Sequence, residues 1–134
     1  MAGFTNTIES AVLDHIFGKT AYTAPATYYV GLSTSDPGDT GAFTGEPSGS
    51  SYARVAMTNN TTNFPNAVDG SKANGVQVTF PEATGAWGVI THFFLADAAT
   101  DGNIVAYGAL LAAKSIESGD VMYFEIGDLI ITLD

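Results

Sequence analysis

Cysteine is absent from this sequence and cationic side chains are scarce. Without thiols there are no disulfides and no thiolate metal sites. The four cations, Lys19, Arg54, Lys72 and Lys114, stand against 14 acids, for a formal net charge of −10. Phosphate-backbone binding needs clustered Lys and Arg, so no direct nucleic-acid partner is expected. An anionic membrane surface is disfavoured by the same repulsion. No apolar run is long enough to span a bilayer, and the N-terminal stretch lacks the basic start and unbroken apolar core of a secretory signal. The expectation is a soluble protein made in a cytoplasm. Charged residues of both signs make up only 13%, as happens when part of a surface is covered by partners.

What the sequence has in quantity is strand-forming and turn-forming residues. Its 134 residues, 46% hydrophobic, suit one domain, 1–134, with a packed core. The organising stretch is Pro81 to Leu111, two apolar runs joined by the turn-rich segment 97–103. Alternation places Trp87, Val89, Thr91, Phe93 and Leu95 on one face of the first run and Ile90, His92 and Phe94 on the other. A run apolar on both faces needs cover on both. The reading is a sandwich core on one side and a contact with another subunit on the other.

Further strands are expected over 27–32, 52–58, 75–80, 121–126 and 129–133. One short amphipathic helix spans about 6–17, with Asn6 as N-cap and Glu9 completing a capping box. Its stripe is Ile8, Val12 and Ile16, flanked by Leu13 and Phe17, and Gly18 follows as the C-terminal glycine. A helix this short must dock on the domain or on a neighbour. Residues 33–51, dense in Gly, Pro, Ser and Asp, read as a long flexible loop. The fold class is mainly β: an antiparallel β-sandwich or jelly-roll-like barrel with one short N-terminal α-helix.

No catalytic constellation, cofactor motif or metal site stands out. Gly18-Lys19-Thr20 matches the end of a phosphate-binding loop, but Leu13 stands where that motif needs glycine, and the helix comes before the motif, not after it. His15 and His92, the two histidines, have no nucleophile in a suitable context. Asp36, Asp39 and Glu46 do not follow a calcium-loop pattern; Asp36-Pro37-Gly38 reads as a turn. Glu82, Glu117, Asp120, Glu125 and Asp128 sit mostly beside turn residues and read as solvated carboxylates, not a glycosidase pair. Aromatic residues are numerous for one small interior, which suggests that some serve an interface.

Three blocks carry a resemblance: 13–41, containing YVGLSTSDP; 46–67, containing EPSGSSYAR; and 78–110, containing TFPEATGAWG. Together they resemble a family of small virion structural proteins of tailed phages, of the tail-fibre-like and head decoration or cement types. The resemblance implies a non-enzymatic protein made in the host cytoplasm and located in the virion, on the head surface in preference to the tail. It implies the major capsid protein or another tail protein as partner, and a homo-oligomer, a trimer. As contact segments it singles out the helix and the long loop. With the second face of the hairpin, the expected interface residues are Ile8, Val12, Ile16, Phe17, Phe43, Ile90 and Phe94.

Overall fold

β-Branched and aromatic residues in two long alternating runs form the centre of the molecule. A computed structural model describes residues 3–133. In chain order the elements are β1 (Gly3–Phe4), α1 (Asn6–Ile16), β2 (Thr27–Ser33), β3 (Val55–Thr58) and β4 (Ser71–Ala73). They continue with β5 (Val78–Thr79), β6 (Gly88–Ala96), β7 (Ile104–Ile116), β8 (Tyr123–Phe124) and β9 (Ile130–Thr132). β6 and β7 form the expected hairpin. Asp97 closes its turn by accepting the Asn103 N–H at 2.7 Å, and Asp101 and Gly102 take positive φ.

Five strands make one antiparallel sheet in the order β1-β7-β6-β2-β3, and two short antiparallel ribbons, β4-β9 and β5-β8, complete the β structure. One face of the sheet packs against the ribbons. Val30, Leu32, Phe93, Leu95 and Ala106 of the sheet share a core with Val78, Phe80, Met122, Phe124 and Leu129. Phe93, Phe124, Phe80 and Trp87 follow one another edge to face, with ring centroids 6.0–6.5 Å apart, the spacing that ring quadrupoles favour. This is the sandwich-like, mainly β architecture expected, with its one short helix near the N-terminus.

The alternation along β6 is broken. Ile90 pairs with Lys114 but His92 pairs with Ala109, so Thr91 alone opposes Leu110–Ala113 of β7. A bulge of this kind re-aims side chains. Ile90 therefore joins Phe93 and Leu95 in the main core, whereas the even spacing of the sequence places it with Phe94.

The second face of the sheet is covered by the chain itself, not left for another subunit. Phe94, Ala96, Ile104 and Tyr107 form a smaller cluster on which Phe43 of the long loop packs. Gly31, opposite Phe94 in the register, makes room for its ring: a Cβ there would lie 2.1 Å from Phe94 Cζ. Gly31→Ala forces the buried ring aside and is expected to cost about 1–3 kcal/mol. Urea unfolding of the variant checks this, and an unchanged midpoint contradicts it.

Several boundaries differ from the sequence expectation for local reasons. The helix N-cap is Thr5, one residue early, and no capping box forms. The Thr5 hydroxyl is drawn to the Ile104 carbonyl at 2.8 Å, while its own carbonyl accepts the N–H groups of Ile8 and Glu9. β3 begins only at Val55, because Tyr52 and Arg54 turn into contacts with the loop. The strand expected over 75–80 is confined to Val78–Thr79, and an unexpected β4 precedes it; between them buried Asn74 spends its amide on cross-linking. It donates to the carbonyls of Val76 and Glu125 and accepts from the N–H groups of Gly127 and Leu129.

Candidate functional site

The apolar stripe of α1 is where the chain spends hydrophobic residues without burying them. The helix root is held: Thr5 N–H donates to the Val105 carbonyl at 3.1 Å and Asn6 N–H to that of Asp39 at 2.9 Å. Ile8 is the only buried residue of α1. Beyond it the helix projects, with Val12 half-buried, Leu13 56% exposed, Ile16 58% and Phe17 77%. An 11-residue helix is marginal alone, and grouped exposed Leu, Ile and Phe mark an interaction site. Between the helix and the sheet runs a groove of about 480 Å³ lined by Phe4, Val12, Leu13, Ile16, Tyr107 and Leu133, with Glu9 and Asp39 as its charged members.

Tyr107 closes the floor of this groove. Its hydroxyl donates to the Asp39 carboxylate. That bond, then burial and the negative charges of Asp39, Asp36 and Glu9, push the phenol up to about 12. Tyr28 is pushed up to about 12, chiefly by burial, and Tyr52 is raised, again chiefly by burial. The folded state holds these protons where the unfolded chain, at about 10, releases them. The contribution of Tyr28 and Tyr107 to stability is complete below about pH 10 and is lost as pH rises through about 12. Tyrosinate absorbance of the native protein should therefore lag that of the urea-unfolded chain; superimposable titrations contradict this.

The loop after β2 is fastened, where the sequence suggested a flexible arm. Arg54 lies over Phe43 and Phe94, its guanidinium carbon 4.8 and 5.2 Å from the ring centroids. It holds the Glu46 carboxylate with two bonds of 2.8 Å and donates to the carbonyls of Ala98 at 2.6 Å and Asp101 at 2.9 Å. Tyr52 adds a third bond to Glu46 at 2.7 Å and accepts the Leu32 N–H at 3.0 Å. One cation thus ties the loop, the sheet face and the hairpin turn together.

A family model described as "Podophage GP4 fiber I protein gp80" matches residues 3–132. The chain belongs to this family. It is therefore a phage structural protein of fibre type, a component of the virion. A search of curated proteins found no match.

The residues expected at an interface in this fibre-family chain separate into two groups. Ile90 and Phe94, 0% and 1% exposed, are inside the monomer and offer no surface to a partner. The bulge takes Ile90 inward and the folded-back loop covers Phe94. Ile8 is buried at the helix root, and Phe43 is half-buried edge-on against Phe94 at 5.5 Å. Val12, Ile16 and Phe17 come together on the projecting helix. Sequence reasoning did not place Phe4 and Leu133 in the groove wall, because a two-residue strand carries no periodic signal and the strand expected over 129–133 does not by itself show that its last residue faces α1.

The polar candidates do turn and packing work. His15 Nδ1 accepts the Tyr22 N–H at 3.2 Å. His92 lies beside Thr91, Oγ1 to Nδ1 2.8 Å, with Nε2 3.9 Å from Asp36. Asp36 accepts the Gly38 N–H, Asp120 that of Glu117, and Asp128 that of Glu125, each closing a turn. Lys19 follows the helix with φ of 57°. Among the described residues no three His, Asp or Glu side chains converge as a metal site would need. No helix there is long and apolar enough to cross a membrane.

Proposed function

We propose that this protein is a non-enzymatic docking subunit of the virion, attached to a larger virion protein by the exposed stripe of α1. The observation that carries this reading is the projecting helix, on which Leu13, Ile16 and Phe17 stay in solvent within one short segment beside an apolar groove. Burying what the three side chains still expose contributes up to about 1.5–3 kcal/mol each, which offsets a large share of the cost of association and leaves the rest to contacts in the groove. The acidic groove beside them calls for basic residues on the partner.

On the particle, the reading is a head decoration or cement protein that bridges major capsid subunits. The acidic balance, a formal net charge of −10, supports it, since it suits an exterior site away from packaged DNA. A subunit that binds the assembled lattice in preference to free capsid protein stabilises the head by mass action. The second reading, a tail-fibre or tail-tip component involved in recognition of a host-surface glycan, draws on the fibre description of the family. Copy number per purified virion, by quantitative mass spectrometry against the major capsid protein, separates them. On the order of hundreds fits the head lattice, which alone repeats so often. A small multiple of three or six fits the tail, and no copies at all defeats both.

A further inference from the structure

A second apolar surface lies on the open edge of the sheet. β1 pairs with β7 only at Ala106 and Tyr107, so from Gly108 onward that side of β7 has no strand partner among the described residues. Here the bulge lifts Leu110–Ala113 out of register, and Leu111 at its crest is fully exposed (108%). Leu111 is itself part of the wall of a groove of about 430 Å³, lined also by Phe93, Leu110, Met122, Tyr123 and Ile130. A fully exposed apolar side chain thus stands on the wall of a concave apolar groove. That is the form of a self-complementary patch, in which each copy fills the groove of the other.

Charge distinguishes this surface from the α1 groove. The charged residues lining the α1 groove, Glu9 and Asp39, are both acidic. Two copies meeting there would set acid against acid on chains that each carry −10. The β7 groove has one charge of each sign, Lys114 and Asp128. Lys114 Nζ is held 6.0 Å from the Tyr123 ring centroid, at the groove itself. In a two-fold contact across the patch each copy offers the other one cation and one anion, Lys114 and Asp128. The bulge also makes continued strand-on-strand growth along this edge unfavourable, so the contact closes as a pair.

We infer that the flank made by the β7 bulge, β8 and β9 binds a second copy of this chain, Leu111 of each copy entering the groove of the other. This leaves α1 free for the unlike partner. The test is the mass of the full-length protein by sedimentation equilibrium at its highest soluble concentration. The wild type is expected to be a dimer. Leu111→Asp, a fully exposed position, is expected to be monomeric with unchanged circular dichroism. Lys114→Glu should weaken the dimer at least about tenfold and recover on raising salt, since like charges then oppose. Val89→Asp, 51% exposed and outside the groove, and Phe17→Asp on α1 should both remain dimeric. The Phe17 variant separates this contact from the attachment through α1. A wild-type monomer, a wild-type trimer, or a Leu111→Asp dimer overturns the inference.

Discussion

Replacing Ile16 and Phe17 together by Asp is expected to leave the domain folded and to remove it from the virion. Both side chains are already largely in solvent, 58% and 77% exposed, and surface changes of this kind alter stability by about 0.5 kcal/mol or less. In a docked helix the same residues are central anchors, where truncation costs about 2 kcal/mol or more apiece. Two such losses, roughly 4 kcal/mol, weaken binding about a thousandfold. New carboxylates beside an acidic groove attract a basic partner and so offset a small part of this loss without replacing the buried apolar anchors. Cosedimentation with particles that lack their own copy measures the effect, with circular dichroism as the control for folding. A folded double variant that is incorporated at the wild-type level excludes α1 as the attachment site.

Arg54→Met is expected to be the most damaging single substitution away from the main core. The Arg54 side chain is 3% exposed and the Glu46 side chain 16%, so the methionine leaves a nearly buried carboxylate without its cation. Removing one partner of such a pair costs about 3–5 kcal/mol. Domains of this kind have a total stability of about 5–15 kcal/mol. The loss also frees the carbonyls of Ala98 and Asp101 and unpins Phe43 from Phe94. Urea unfolding gives the magnitude, and limited proteolysis should cut within residues 34–54 before the rest of the chain. The double variant Glu46→Gln/Arg54→Met should recover part of the loss, because the uncompensated charge is then gone. A single-variant loss under about 1 kcal/mol would mean that the loop is held by its apolar contacts alone.

Much of the architecture is legible in local pattern. The β6–β7 hairpin follows from two long apolar runs around an Asp-rich, Gly-containing turn, and the helix from its i, i+4 stripe. What local pattern could not give is where register breaks. The second apolar run, read only as far as Leu111, continues as strand to Ile116, and the bulge within it turns Leu111 outward. The same bulge moves Ile90 inward, so an interface residue read from alternation became a core residue. The fastening of the loop was hidden too, because Arg54 reaches partners 44 and 47 residues away in sequence. Its signal was present in another form: one of only four cations, following a loop that contains Glu46 and Phe43. The N-cap was misplaced by one position because Thr5 and Asn6 are both good caps, and only the distant Ile104 carbonyl decides between them.

Amide hydrogen exchange of residues 6–17, compared between the free protein and the purified virion, tests attachment through α1 most directly. A short helix without tertiary cover opens locally and exchanges fast. On the particle its amides are expected to slow by about a hundredfold or more, with β6 and β7 unchanged in their shared register. Equal exchange of α1 in both states, with protection gained elsewhere on the domain, would contradict the account and place the attachment surface at that other site.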